Sequence, residues 1–144
     1  MPKPRKPQIQ TAELLRRALV EFNAEYFRLN PNGPTVTQTI VLSYLIQRGA
    51  MCQRRIVEGT AIDRSTLCEM LIAMQRDGYV DTVRSKSDER KIMVTITPRG
   101  ISALRKAEES AYGAEKHLME KLPRGSRTRF LAHLMRLTQV EQAA

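Results

Sequence analysis

Residues 63–100, DRSTLCEMLIAMQRDGYVDTVRSKSDERKIMVTITPRG, contain the pattern that decides the fold of this chain. Asp63 can cap a helix, because its carboxylate accepts hydrogen bonds from the free N–H groups of a first helical turn. Gly78 suits the left-handed position at which helices commonly end. Between these two residues the apolar side chains recur at helical spacing, and they are Leu67, Met70, Leu71 and Met74. The segment therefore predicts a helix that begins after Asp63 and ends before Gly78.

A two-stranded ribbon is predicted to follow this helix. Ile92, Val94 and Ile96 alternate with Met93, Thr95 and Thr97, which is the periodicity of a strand. Residues 85–90, SKSDER, are too polar to bury and predict a charged loop between two strands. A helix followed by a ribbon with a basic tip is typical of the winged helix, which grips duplex DNA.

The same stretch resembles the MarR family of bacterial transcriptional regulators. The resemblance rests on four motifs at the family's intervals: Asp63-Arg64-Ser65-Thr66, Gly78-Tyr79-Val80, Asp88-Glu89-Arg90, and Ile96-Thr97 with Gly100. One departure is Thr82, where the family commonly has arginine, and Arg84 is the nearby residue that can supply the charge. Weaker similarity extends from about Thr35 to the C-terminus.

Composition limits the class of protein. The chain has 144 residues, 42% of them hydrophobic, which is enough for one domain with its own core. Its apolar runs fall well short of the roughly 20 residues of a membrane span, and the basic N-terminus has no apolar segment behind it. We therefore expect a cytoplasmic protein without a membrane partner. Cys52 and Cys68 do not form a disulfide framework.

The net charge of +9 favours a polyanionic partner, and nucleic acid is the commonest one. Charge alone also fits a ribosomal protein, a protein that binds membrane surfaces, or a merely soluble basic protein. The winged-helix pattern decides in favour of DNA.

The remaining segments predict a helical frame around the wing. Residues 1–8 should be a disordered basic arm, either a solvated tail or an arm in a minor groove. A first helix should span residues 9–29. Thr35 and Gln38 form a capping box for a second helix, which ends at Gly49. The residues predicted to face inward from that second helix are Val36, Ile40, Val41, Tyr44 and Leu45.

Three more helices are expected besides the one after Asp63. A short helix should span residues 51–58 and be followed by a turn at residues 59–62, which completes a helix-turn-helix. Thr97 and Pro98 should start a helix that runs to about residue 122. The last helix should span residues 126–139. Its apolar residues cover more than one face, which indicates packing against a second chain.

The predicted fold class is therefore mainly α with a small β-hairpin wing: a winged helix-turn-helix of six helices whose terminal helices form a dimer interface. Residues 9–144 should form a single domain. The DNA-binding winged helix should lie at about residues 35–97, and the dimerisation helices at about residues 9–30 and 98–140.

Candidate DNA contacts lie at the start of the helix after Asp63, which would be the recognition helix of the helix-turn-helix. Arg64, Ser65 and Thr66 occupy its first turn, the part of such a helix that usually meets base edges. Cys68, Glu69 and Arg76 are predicted on the face opposite the core. A carboxylate near phosphates is repelled, so Glu69 should accept from a cytosine amino group or pair with an arginine. The alternative for the whole set is a solvated helix end.

The wing supplies a second group of candidates. Lys86 and Arg90 can neutralise phosphates or enter a minor groove, and Arg84 lies at the base of the loop. The resemblance implies that Arg90 reaches the minor groove and that Asp88 orients it. A solvated charged hairpin is the alternative.

Enzyme, cofactor and metal signatures do not occur in the sequence. His117 and His133 have no neighbouring set of carboxylate and nucleophile, and no phosphate-binding glycine loop is present. The resemblance implies a cleft between the dimerisation and DNA-binding lobes for a small anionic, often aromatic, ligand. Tyr26, Tyr44 and His117 can line such a cleft, although core packing also explains them.

The resulting hypothesis is a homodimeric, sequence-specific regulator of double-stranded DNA with a palindromic operator. It would act as a repressor that a small anionic or aromatic ligand releases. The alternatives are a non-catalytic winged-helix module that docks another protein, and a DNA-binding protein that needs no effector.

Overall fold

A computed structural model describes Met1 and residues 9–140 of the chain. Its helices are α1 (Gln10–Leu29), α2 (Val36–Arg48), α3 (Gln53–Thr60), α4 (Arg64–Arg76), α5 (Pro98–Met119) and α6 (Ser126–Thr138). Its strands are β1 (Met51–Cys52), β2 (Val80–Arg84) and β3 (Ile92–Ile96). The predicted fold class, a mainly helical winged helix-turn-helix with six helices, is confirmed. The predicted basic arm at residues 1–8 lies, except for Met1, outside the described residues.

Both ends of α2 and the start of α5 lie where the sequence predicts them, whereas α5 ends at Met119 and not at about residue 122. The Thr35 hydroxyl accepts from the Gln38 backbone N–H at 3.2 Å, and the Gln38 side chain accepts from the Thr35 N–H at 3.0 Å. Gly49 ends α2 with a φ of 81°, a conformation that glycine adopts without strain. The hydroxyl of Thr97 accepts from the Gly100 N–H at 3.0 Å and so caps α5.

The sheet has three strands, in the order β1-β3-β2, and is antiparallel throughout. Met51 pairs with Val94, so β1 covers the edge of β3 that the hairpin leaves open. The prediction of a helix over residues 51–58 was therefore wrong at both ends, because α3 begins at Gln53 and continues through the predicted turn to Thr60. A two-residue strand has too few residues to show a period, so only its pairing partner reveals it.

The main core lies between α2, α3, α4 and the sheet. Its fully buried members include Val41, Leu42, Leu45, Ile56, Leu67, Met74, Val80 and Val94. The prediction that Ile40 faces inward was wrong, since Ile40 is 47% exposed whereas Leu42 is fully buried. Two positions along a helix differ by about 200° in direction, so burying Leu42 turns Ile40 toward solvent.

A smaller core joins α1 to α5. Tyr26, Ala107 and Ala114 are buried there. The Tyr26 hydroxyl lies 2.8 Å from the Pro34 carbonyl and 2.8 Å from the Thr39 hydroxyl, which ties the α1–α2 turn to α1. Because Leu104 of α5 belongs to the main core, α5 packs against both cores.

The joint between the recognition helix α4, the wing and α5 is a set of hydrogen bonds to the main-chain carbonyls of residues 77–79. The Thr97 hydroxyl donates to the Gly78 carbonyl at 2.5 Å, and the Thr97 N–H donates to the Tyr79 carbonyl at 3.1 Å. Arg99 donates from Nε to the Asp77 carbonyl at 2.8 Å. At Gly100 a Cβ atom would collide with the Tyr79 carbonyl oxygen. The end of α4 and the start of α5 are thus held together at close range.

The two terminal helices leave much apolar surface uncovered. Along α1, Leu14, Leu15, Leu19, Val20 and Phe27 are more than half exposed, and Tyr26 is the residue that is buried. None of the residues of α6 is buried. An ion pair attaches α6 to α5, with Arg127 Nε 2.8 Å from the buried Oε1 of Glu115, although the N–H does not point at that oxygen.

Among the described residues, each helix falls short of the length or the apolar character needed to cross a membrane.

The different burial of two residues of α2 gives a test of the core. Leu42→Ala should lower the free energy of unfolding by about 2–5 kcal/mol, because it leaves a cavity in the main core. Ile40→Ala, on the exposed side of the same helix, should change it by no more than about 0.5 kcal/mol. Urea unfolding followed by circular dichroism measures both. Equal losses would show that Ile40 is also a core residue.

Candidate nucleic-acid interface

The first turn of α4 is organised around the Asp63 carboxylate. Its Oδ1 accepts from the Thr66 backbone N–H at 2.9 Å and from the Ser65 hydroxyl at 2.8 Å. Its Oδ2 accepts from the Thr66 hydroxyl at 2.5 Å. These bonds lower the pKa of Asp63 to about 2, and the bond from the Thr66 hydroxyl has the largest effect. Asp63 therefore caps α4 as predicted and also holds both neighbouring hydroxyl groups.

The outer face of α4 carries most of the predicted contacts. Arg64, Ser65, Thr66 and Glu69 are exposed near its N-terminal end, while Leu67, Leu71 and Met74 point into the core. Arg76 is exposed at the other end, about 18 Å further along a helix axis that rises 1.5 Å per residue. Arg76 Nε lies 3.3 Å from the Asp77 carboxylate. The first turn and Arg76 thus lie too far apart to meet the same base pair.

Cys68 does not lie on this outer face, so that part of the prediction needs correction. Its side chain is half-buried, and its thiol donates to Gln53 Oε1 at 3.2 Å. The contact joins α4 to α3, the two helices of the helix-turn-helix. Helical spacing placed Cys68 opposite the core of α4 but could not show that α3 crosses there.

The wing is the β2–β3 hairpin and its loop. The Ser85 N–H donates to the Lys91 carbonyl at 2.8 Å and closes the loop. Lys86 and Arg90 are exposed at the tip, and Arg84 is exposed at the end of β2. Asp88 accepts from the Arg90 backbone N–H at 3.0 Å. The carboxylate therefore fixes the main chain of Arg90 and leaves its guanidinium outside this bond.

Two further cations lie on α3, and sequence reasoning did not select them. Arg54 and Arg55 are both exposed, and Arg54 pairs with Glu58 at 2.9 Å. They follow Gln53, the partner of Cys68, so they lie beside the recognition helix. Two adjacent arginines in the first helix of a helix-turn-helix are the sequence pattern that could have identified them.

The three candidate ligand residues occupy separate environments. The Tyr26 hydroxyl is bonded inside the smaller core. The Tyr44 ring packs against Gly59, with the Arg48 guanidinium 5.4 Å from its centroid. His117 Nε2 lies 3.7 Å from Glu21 Oε1, and Lys121 contacts the same carboxylate oxygen. The structure does not bring these three side chains together.

The side chains that could bind a metal ion are also separated from one another in the described residues. Within the part of the chain that the structure describes, no three His, Cys, Asp or Glu side chains lie together in a way that could hold a metal ion.

A family model described as "Transcriptional regulator SarA/Rot" matches residues 30–107, which is more than half of the chain and includes the whole helix-turn-helix and wing. The chain belongs to this family of winged-helix transcriptional regulators. Its structural neighbours are MarR-family regulators, so the resemblance seen in the sequence is confirmed. A comparison with curated proteins gave no sequence match.

Solved structures of regulators cover nearly the whole fold. BpsR of Bordetella bronchiseptica, whose DNA binding is regulated by 6-hydroxynicotinic acid, is 25% identical with a TM-score of 0.79, over 90% of this chain and 98% of its own. The repressor CouR, solved on a 23-mer DNA duplex, is 25% identical with a TM-score of 0.79, over 94% and 99%. PcaV of Streptomyces coelicolor, solved with its natural ligand, shares the fold at 22% identity and a TM-score of 0.81, over 94% and 97%.

The bonds of Asp63 predict a pH-dependent loss of stability. Its pKa is about 2 in the folded chain against an ordinary value of 3.8, so the stabilisation is present above about pH 4 and is lost as the pH falls toward 2. Asp63→Asn keeps a good cap but does not titrate. The variant should therefore unfold at lower temperature than the wild type at pH 6, and the gap should narrow to less than half of its pH 6 value by pH 2.5.

Thermal unfolding followed by circular dichroism measures this gap. Asp81→Asn, an exposed change of the same charge on β2, is the control and should show no such convergence. A gap between wild type and Asp63→Asn that stays constant from pH 6 to 2.5 would contradict the assigned bonds.

Proposed function

We propose that this regulator binds double-stranded DNA sequence-specifically as a homodimer. Each subunit would place α4 in a major groove and its wing beside the neighbouring backbone. The observation that carries the proposal is the position of Arg64, Ser65 and Thr66 at the exposed start of a capped helix, next to a wing with Lys86 and Arg90 at its tip. A helix start offers base-reading side chains and free N–H groups for a phosphate.

The positions of the exposed cations support different roles for the wing and for α4. Lys86 and Arg90 lie on a hairpin loop whose side chains are exposed, where a cation meets phosphates more readily than base edges. Arg64 lies at the start of the helix, where its guanidinium can pair with guanine O6 and N7. We infer that the wing provides affinity and that α4 provides sequence preference. Arg54 and Arg55 add positive charge on the first helix of the motif.

Dimerisation is supported by the apolar surface of the terminal helices. A cleft of about 540 Å³ opens between α1, α5 and α6, and its apolar lining includes Phe22, Leu118, Phe130, Leu131 and Leu134. The exposed leucines of α1 add to this surface. Monomeric proteins rarely leave so large a patch in water. We propose that a second copy covers it, which would place two recognition helices about 10 base pairs apart on a palindromic operator.

Ligand-released repression is the finer form of the proposal. BpsR and PcaV are described with small ligands. In this chain a cleft of about 250 Å³ lies where the α1–α2 turn, Tyr79 and the start of α5 meet, and Arg99 and Lys106 line it. We propose this cleft for a small anionic effector in preference to Tyr26, Tyr44 and His117, because it holds two cations at the junction of the two cores. We propose that the protein acts in the cytoplasm by binding DNA and an effector, without catalysing a reaction.

A salt titration tests the roles of the wing and the helix. Each phosphate contact adds roughly 0.9 to the slope of log affinity against log salt. Lys86→Ala and Arg90→Ala should therefore weaken binding to operator and random duplexes alike and flatten both slopes by about one contact per subunit. Arg64→Ala should reduce the preference for the operator by about 1–3 kcal/mol if it pairs with guanine.

Arg105→Ala is the matched control, because Arg105 is an exposed cation on α5, away from the wing. It should leave both slopes close to the wild-type values. If the two wing variants bind both DNAs with unchanged affinity and slope, the wing does not contact DNA, and a module that docks another protein becomes the better hypothesis.

The dimer has its own test. Leu19 is 56% exposed on α1, so Leu19→Glu should place a charge in the subunit interface and yield monomer. Light scattering at micromolar concentration should give twice the 16.4 kDa chain mass for the wild type and about the chain mass for the variant. Ile72→Glu, at a 71% exposed apolar site on α4, should stay dimeric. A monomeric wild type would refute the proposed interface.

A further inference from the structure

We propose that Asp63 sets the hydrogen-bond polarity of the α4 reading end, so that Ser65, Thr66 and Glu69 select adenine or cytosine, the bases with a major-groove amino group, over guanine or thymine at the positions that face them. This inference rests on the proposed binding of DNA by α4. It assigns Asp63 as a positioning residue and gives the chemical class of the bases that are read.

The hydroxyl groups of Ser65 and Thr66 both donate their protons to the Asp63 carboxylate. Ser65 donates to Asp63 Oδ1 at 2.8 Å, and Thr66 donates to Asp63 Oδ2 at 2.5 Å. A hydroxyl has one proton and two lone pairs. Once its proton is donated to Asp63, each hydroxyl has only lone pairs left to offer to DNA. Both hydroxyl groups therefore act as acceptors.

The direction of these bonds follows from the ionisation of Asp63. Its pKa is lowered to about 2, so the carboxylate is ionised at neutral pH and has no proton to give. Both hydroxyl groups must be the donors. Releasing either proton toward DNA would remove a charge-assisted bond from Asp63.

The next turn of α4 has the same polarity. Glu69 lies one helical turn beyond Ser65 on the same face, is exposed, and as an ionised carboxylate accepts hydrogen bonds and cannot donate them. The thiol proton of Cys68 is directed to Gln53, away from this face. Arg64 is the donor at the start of the helix. The reading face is therefore a donor followed by a run of acceptors.

The major groove distinguishes bases by this polarity. Adenine N6 and cytosine N4 donate there, whereas guanine O6 and thymine O4 accept. The lone pairs of Ser65, Thr66 and Glu69 are attracted to the first pair of atoms and repelled by the second. A cytosine amino group also provides a partner for Glu69, whose charge would otherwise be unfavourable near phosphates.

Asp63→Asn changes the polarity while keeping the helix cap. The amide oxygen stays where it accepts from the Thr66 N–H, and the amide nitrogen replaces Oδ2. That nitrogen donates to the Thr66 hydroxyl, so the hydroxyl proton turns outward and can be given to a base. Asparagine caps helices about as well as aspartate, so the variant should fold.

The experiment uses the intact chain and a randomised duplex library. Wild-type protein should enrich half-sites with adenine or cytosine at one or more positions facing α4. Removing the major-groove amino group at those positions, with purine in place of adenine or 2-pyrimidinone in place of cytosine, should weaken binding about tenfold per site. Inosine in place of guanine removes a minor-groove amino group and should change affinity by no more than about twofold.

Two variants complete the test. Asp63→Asn should enrich guanine or thymine at a position where the wild type enriches adenine or cytosine. Asp81→Asn, the same charge change at an exposed site on β2, should alter affinity for all sequences without changing base preference. Enriched half-sites that tolerate loss of every amino group, or an Asp63→Asn variant with wild-type preference, overturn the inference alone. A wild type that enriches no sequence refutes the proposed function itself, and the inference with it.

Discussion

The contacts around Tyr79 hold the recognition helix, the wing and α5 in one arrangement. The Thr97 hydroxyl binds the Gly78 carbonyl, the Thr97 N–H binds the Tyr79 carbonyl, and Arg99 reaches the Asp77 carbonyl. All three acceptors are main-chain carbonyl oxygens, so these bonds hold the backbone of residues 77–79 against the start of α5. Since α5 packs against both hydrophobic cores, a shift of α5 would move α4 and the wing with it. The proposed effector cleft beside Arg99 lies at this joint.

The proposed base contacts at the start of α4 use the same atoms that stabilise the helix. Asp63 satisfies a free backbone N–H and holds two hydroxyl groups that are also the nearest candidates for base contact. A helix cap usually contributes to folding alone, but in the proposed complex this cap would also restrict which hydrogen bonds the helix can make to a base. In the wing, Asp88 fixes the backbone of Arg90 and leaves the guanidinium free of that bond. Asp63 thus orders the start of α4, and Asp88 orders the wing loop.

The sequence predicted the winged helix well because its signals are local. A capping residue, a glycine at positive φ and an alternating strand each act within a few residues, and Asp63, Gly78 and Thr97 play the predicted parts. Predictions failed where a distant segment decides the outcome. β1 exists because Met51 pairs with Val94, and Cys68 is withdrawn from the outer face because Gln53 lies beside it. The spacing of apolar and polar residues along the sequence does not reveal these pairings.

The sequence by itself therefore determined the fold class, the family, and the exposure of the candidate DNA contacts other than Cys68, since short-range capping and periodicity specify helices, strands and their exposed faces. Only the tertiary structure decided the separation of Tyr26, Tyr44 and His117, the bond between Cys68 and Gln53, and the apolar surface left open on α1 and α6. Those features depend on which side chains meet across the fold, and a one-dimensional pattern specifies a face without specifying what covers it.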